Sequence, residues 1–370
     1  MSDWKPVKLS DICILEKGQQ IDTSLLDDTK PYRYINGGIK ESGYYDDFNT
    51  SGESVLISEG GASCGYINYV NENFWCGCHC YRLHDIKVFP KYLFHALKAN
   101  QQRIMALRTG SAMPNIQKST IQKFELKIHD DINTQKKVSS MLDKCNELID
   151  KHKLTLEKYD SLIKSRFIEM FGDPVLNEKG WEKVRLDSVA DIKIGPFGSL
   201  LHQEDYISGG HALVNPSHIV AGIIETDEKL TISDKKYEEL SPYHLMKNDV
   251  VMGRRGEMGR CAVVNQDGLL CGTGSLIIRT TGELEADFIQ KIISFPSYKK
   301  TIEDKAVGQT MPNLNVPIVS SFEIIKPPKE VQKKYYSFVQ QIDKSKFAVQ
   351  KSLEKVETLY RSLMQEYFDY

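Results

Sequence analysis

Trp4-Lys5-Pro6-Val7-Lys8-Leu9-Ser10-Asp11-Ile12 returns later in the same chain as Trp181-Glu182-Lys183-Val184-Arg185-Leu186-Asp187-Ser188-Val189. The echo continues: Met113-Pro114-Asn115 returns as Met311-Pro312-Asn313, and Gln135-Lys136-Lys137 as Gln332-Lys333-Lys334. A duplication with so long a period implies two similar globular units, each followed by a similar helix. Between these anchors Asn36 matches Asn215, Cys76-Gly77 matches Cys271-Gly272, and Phe124-Glu125 matches Phe322-Glu323. The second copy gains about 20 residues between its opening and Cys271, and insertions of that kind fall in surface loops, where specificity is built.

Each globular unit reads as mixed β with some helix. Ser54-Val55-Leu56-Ile57-Ser58 and Asp249-Val250-Val251-Met252 are β-rich runs that end in glycine-rich turns. Pro90 to Leu97 and Asp287 to Ile293 read as matching short helices.

The long helices carry the plainest pattern. From Val138 the seam runs through Leu142, Cys145, Ile149, His152, Leu156, Tyr159 and Ile163, then Arg166 and Met170. Its counterpart runs through Tyr335, Val339, Ile342, Lys346, Val349, Leu353, Val356, Tyr360, Leu363 and Tyr367. Alternating steps of three and four, sustained over about five heptads, mark a coiled-coil seam, and matched registers favour mutual packing. Each helix would run about 40 residues, or about 60 Å. His152 reads as a packed seam residue, and Lys346 as a side chain that snorkels or ends the seam. The expected fold is α+β, with domains at 1–131 and 174–328 and helices at 132–173 and 329–370.

Composition leaves the function open. The 370 residues are 41% hydrophobic and 26% charged, as in an ordinary soluble protein, with a net charge of −2. Any phosphate-binding surface must therefore be a local patch, with acidic residues such as Asp27, Asp28, Asp46 and Asp47 placed elsewhere. No run reaches the length needed to span a bilayer, and the opening Met1-Ser2-Asp3-Trp4-Lys5 has no apolar secretory stretch. Eight scattered cysteines read as free thiols in a reducing cytoplasm.

Catalytic parts are missing from the sequence. It contains no Gly-x-x-x-x-Gly-Lys-Ser/Thr phosphate loop and no Asn/Asp-Pro-Pro-aromatic element of the amino-methyltransferases. Gly253-Arg254-Arg255-Gly256-Glu257-Met258-Gly259 has the wrong spacing for a dinucleotide fingerprint. Glu303-Asp304-Lys305 lacks the Pro-Asp pair of a nuclease and reads as a solvated helix face. Cys76-Gly77-Cys78-His79-Cys80 invites zinc, with Cys64 as a fourth ligand. The second copy, Cys271-Gly272-Thr273-Gly274-Ser275, keeps one cysteine and loses the rest, so a buried strand of small residues is the reading for both.

The arginine-rich turn is the better candidate. Arg254, Arg255 and Arg260 surround a turn where backbone can approach a phosphate, and arginine forks suit phosphate oxygens and guanine edges. The first copy has Glu59-Gly60-Gly61-Ala62-Ser63-Cys64-Gly65 there, so the two units would touch DNA differently. The candidate DNA-binding set is Arg254, Arg255, Arg260, Lys193 and His218 in the second unit, and Asn36, Lys40 and Ser63 in the first.

Globular unit, long helix, globular unit, long helix is also the order of the specificity (S) subunits of type I restriction–modification systems, which the sequence resembles over its whole length. The openings at Trp4 and Trp181 resemble the start of their target recognition domains. Phe171-Gly172-Asp173-Pro174, followed by Asn177 and Lys179-Gly180-Trp181, resembles their junction from first helix to second domain. The Met-Pro-Asn segments leading to Gln135 and Gln332 also fit. Lys326-Pro327-Pro328 precedes the second helix, whereas the first copy has Lys127-Ile128-His129-Asp130-Asp131 without proline.

The resemblance implies a non-catalytic reader of double-stranded DNA. Each target recognition domain would read half of a split sequence, with the two helices paired as an antiparallel coiled coil. Two methyltransferase subunits using S-adenosylmethionine, and restriction subunits using ATP and Mg2+, would be the partners, with no cofactor in this chain and no membrane. The competing readings are a self-contained DNA methyltransferase or nuclease, and a DNA-independent coiled-coil scaffold.

Overall fold

The computed structural model describes residues 4–110, 112–197, 200–257, 259–306 and 313–368. Met258 and the Met311-Pro312 part of the second Met-Pro-Asn landmark lie outside them. The two repeats are built to one plan. In the first, Trp4–Lys8 pairs antiparallel with Glu125–His129, joining the start of the domain to its end. In the second, Lys183–Arg185 pairs with Glu323–Ile325 in the same way.

Behind each ribbon lies a four-stranded antiparallel sheet. Its order is Ile14–Lys17, Cys80–His84, Ser54–Ser58, Ile67–Val70 in the first repeat. The second follows the same order: Ala190–Ile194, Ser275–Thr280, Asp249–Gly253, Cys261–Val263. A smaller sheet contains a parallel pair in both, Tyr32–Ile35 with Trp75–Cys76 and His211–Val214 with Leu269–Cys271. The short helices are Pro90–Ala99 and Ala286–Ile293, whose apolar faces are buried in the cores.

The extra residues of the second copy lie chiefly between His211–Val214 and Asp249–Gly253. They form a hairpin, Ile219–Val220 with Ile223–Ile224, the strand Thr231–Ile232 and the helix Asp234–Glu239. The first copy has a single strand there, Gly43–Tyr45. Tyr237 fastens the addition, stacked between His211 at 3.8 Å and His244 at 3.6 Å.

The long helices span Ile132–Phe171 and Lys329–Phe368. The first lacks the prolines that introduce the second and is capped by Asp131, whose carboxylate accepts the Thr134 amide at 2.8 Å. It ends at Gly172, whose φ of +74° lets its amide reach Ile168 O at 2.8 Å. The repeated glutamines are buried and bond the carbonyls just before their helices: Gln135 to His129 O at 2.7 Å, Gln332 to Pro327 O at 2.8 Å.

Compactness divides the chain differently from the repeat. One unit is Met1–Lys158 with Ser345–Tyr370, and the other is Tyr159–Lys344. Each unit therefore contains part of both helices. In the first, Val138, Leu142 and Cys145 share a core with Leu363 and Phe368, and His152 Nε2 lies 3.0 Å from Ser352 Oγ. In the second, Phe167 and Phe171 pack on Phe288 and Tyr335, with Arg166 over the Phe338 ring. Early residues of one helix meet late residues of the other, so the pairing within each unit is antiparallel. Leu142, Ile149 and Leu353 are buried; Leu156, Ile163, Val339, Ile342, Val349 and Val356 are half-buried. Residues between seam positions, such as Leu154, Leu162, Phe347 and Leu359, are exposed.

Candidate nucleic-acid interface

The turn after the central strand of each four-stranded sheet is held by the same backbone ladder. In the first unit Glu59 N donates to His79 O at 2.8 Å, and Ile116 N donates to Glu59 O at 2.9 Å. In the second, Arg254 N donates to Gly274 O and Leu314 N to Arg254 O, both at 3.0 Å. Gly60 then bridges Asn115 as Arg255 bridges Asn313. Glu59 and Arg254 thus occupy equivalent positions, and both side chains are buried. The frame is common and the charge is opposite.

Three repeated landmarks explain one another around this ladder. A Cβ on Gly77 would stand 2.3 Å from Asn36 Oδ1, and one on Gly272 would stand 2.1 Å from Asn215 Oδ1. A Cβ on Gly18 would meet Gly77 O at 2.3 Å, and one on Gly195 would meet Gly272 O at 2.1 Å. Glycine is required because two strand ends and an asparagine close on a single point. Asn36 Oδ1 also accepts the His79 amide at 3.0 Å.

In the first unit the turn brings Asn36, Lys40 and Ser63 onto neighbouring loops. Ser63 Oγ donates to Gly37 O at 2.5 Å, which ties the turn to the 36–40 loop, and Lys40 is exposed on that loop. Glu59 takes Lys17 Nζ at 2.7 Å and the Tyr81 hydroxyl at 3.2 Å. His79 Nδ1 lies 3.9 Å from the same carboxylate.

The second unit does not offer its three arginines equally. Arg254 is buried and its Nε donates to Leu314 O at 3.2 Å; burial first, then neighbouring Arg255, lowers its pKa. Arg255 is exposed. Arg260 is half-buried: Nη1 donates to Pro216 O at 3.2 Å and Nη2 to Glu257 Oε2 at 2.7 Å. Glu257 also accepts Lys299 Nζ at 2.9 Å, and hydrogen bonds from Arg260, then Lys299, pull its carboxyl down to about 2. Lys193 is exposed on its strand. His218 is buried with Nδ1 2.8 Å from Leu213 O, so its ring braces the loop that begins at Asn215.

The cysteine segment forms a turn between strands Trp75–Cys76 and Cys80–His84, in place of the continuous buried strand expected from its small residues. Gly77 breaks the strand, and Cys80 N donates back to Gly77 O at 3.1 Å. Cys78 Sγ lies 2.8 Å from Gln20 Oε1. Among the described residues no group of three or more His, Cys, Asp or Glu is placed to hold a metal. Burial raises the Cys13 and Cys261 thiols to about 12, which makes them packing groups and poor nucleophiles.

Sequence reasoning did not bring Lys17 and Lys299 to the turn carboxylates, and it singled out His79 only within the zinc motif. The repeated Gly18 and Gly195 could have pointed to Lys17, which stands beside the first. Lys299 lies on the helix Pro296–Lys305, where nothing in its local pattern separates it from a solvated charge.

The family model "Type I restriction modification DNA specificity domain" matches residues 1–158 and 178–358. A putative type I specificity subunit of Mycoplasma genitalium is 31% identical over 40% of this chain and 39% of its own length. Another, from Mycoplasma pneumoniae, is 29% identical over 43% of this chain and 44% of its own. The chain thus matches less than half the length of these two relatives. The crystal structure of a type I restriction–modification S subunit from M. genitalium aligns with a TM-score of 0.70 at 22% identity, covering 99% of this chain and 96% of that one.

Proposed function

The chain belongs to the family of type I restriction–modification DNA specificity domains, and on that premise we propose that it is the non-catalytic subunit that reads a bipartite target in double-stranded DNA. Each globular repeat reads one half-site, and the paired helices set the length of the unread spacer. The observation that carries this reading is the pair of equivalent turns. An unchanging backbone ladder buries Glu59 beside Lys17 and His79 in one repeat, and in the other buries Arg254 while leaving Arg255 exposed and Arg260 paired with Glu257. Non-identical readers on identical frames suit a target whose halves differ, because base edges are distinguished by side-chain donors and acceptors.

In this reading two methyltransferase subunits dock on the chain and supply S-adenosylmethionine chemistry. Restriction subunits add ATP- and Mg2+-dependent steps, and the assembly works in the cytoplasm.

The test is to map methylated motifs in cells carrying this chain with its methyltransferase. A two-part motif with a constant gap is expected. Replacing residues 181–325 with another reading domain should change one half only, and adding matched heptads to both helices should lengthen the gap. A single undivided motif, or methylation by the purified chain alone, would overturn the proposal.

A further inference from the structure

Glu257 is held by two cations that are themselves anchored without it. Arg260 is tied through Nη1 to Pro216 O at 3.2 Å, and both Nε and Nη2 reach Glu257 Oε2, at 3.2 and 2.7 Å. Lys299 reaches Oε1 at 2.9 Å. Its stem runs under Gly259, where an added Cβ would stand 2.8 Å from Lys299 Cγ. The side chains of Arg260 and Lys299 are 33% and 31% exposed, whereas that of Glu257 is 52% exposed. The carboxylate therefore caps a cationic seat from the solvent side.

The seat opens into a cavity of about 370 Å³ bounded by the hairpin residues Val220 to Gly222, Gln290 and Ser294. Among the described residues that hairpin belongs to the second repeat alone. An arginine fork beside a lysine ammonium is the donor set that suits phosphate oxygens, and the carboxylate now fills it with two oxygens of its own.

We propose that Glu257 is a built-in stand-in for a DNA backbone phosphate, which displaces it from Arg260 and Lys299 when the second repeat engages its half-site. This rests on the DNA-reading function proposed above. The exchange replaces one anion by another on the same cations, so a poorly placed duplex gains little from the seat. Only a backbone that delivers a phosphate to it does. Glu257 would thereby reduce non-specific binding, which is governed by charge alone.

The experiment measures DNA affinity against salt concentration for the chain assembled with its methyltransferase partner, using a duplex with the mapped motif and one without. Glu257→Gln should tighten binding to the motif-free duplex about fivefold at low salt and steepen the log–log salt slope by about 0.9. On the motif duplex Lys299→Gln should shallow the slope by a similar amount. On the motif duplex Glu257→Gln should also tighten binding, and a series of motif duplexes, each with one methylphosphonate, locates the contact: that gain should vanish at one neutralised phosphate beside the second half-site. Unchanged affinity and slope in Glu257→Gln, or a gain that no single neutral phosphate abolishes, would overturn the stand-in while wild-type motif binding kept the reading function intact. Loss of motif preference in the wild-type assembly would overturn both.

Discussion

The turns at Glu59 and Arg254 differ in charge and agree in backbone. Each accepts and donates the same two ladder hydrogen bonds, yet one buries a carboxylate and the other a guanidinium. The difference shows how a reading domain varies without refolding. The ladder is made by main-chain groups that every residue carries, so it survives any side chain that can be paired locally. Glu59 is paired by Lys17 and Tyr81, and Arg254 by Leu314 O. Neither buried charge is left bare, which is the condition for exchanging one sign for the other.

The strongest way to break the comparison is through the cores, where the repeats should behave alike. Leu9 and Leu186, from the matched openings, are both fully buried. Leu9→Ala and Leu186→Ala should each cost about 2–5 kcal/mol in urea unfolding. A small loss at only one would show that the openings are not equivalent core positions. Next come the glycines under the asparagines. Gly77→Ala and Gly272→Ala should each cost about 1–3 kcal/mol, because the new methyl collides with Asn36, whose Oδ1 is held by the His79 amide, or with Asn215 and the Val214 carbonyl. Each should also weaken recognition of its own half-site, as read by motif mapping.

The turn should behave asymmetrically. Arg255 is exposed, so Arg255→Ala should leave the melting temperature unchanged and shallow the salt slope of DNA binding by about 0.9. An unaltered slope would remove Arg255 from the interface. Arg254 is buried on Leu314 O, so its replacement by Ala should lower stability first.

Much of the fold was legible because it is periodic or repeated. The heptad seams identify residues that are buried or half-buried, since a helix must turn its apolar stripe inward whatever it meets. The short helices and the Ser54–Ser58 strand were legible from local pattern. The cysteine segment was misread as a strand because alternation says nothing about the Asn36 side chain that forces a turn at Gly77. The first helix lacks the prolines that introduce the second, and Asp131 caps its first turn.

The candidate site was only half legible. The arginine turn was found by composition, but Arg254, Arg255 and Arg260 looked alike in the sequence, and only packing makes one buried, one free and one paired. Lys17 and Lys299 meet the turn carboxylates from 42 residues away in each case, a pairing that chain order does not announce. Sequence by itself determined the duplication, the helical seams and the family, because these rest on periodicity and on side-chain types that recur. Tertiary structure alone decided which charges face solvent and which cancel one another. That depends on distances of a few ångströms between strands and helices remote in the chain.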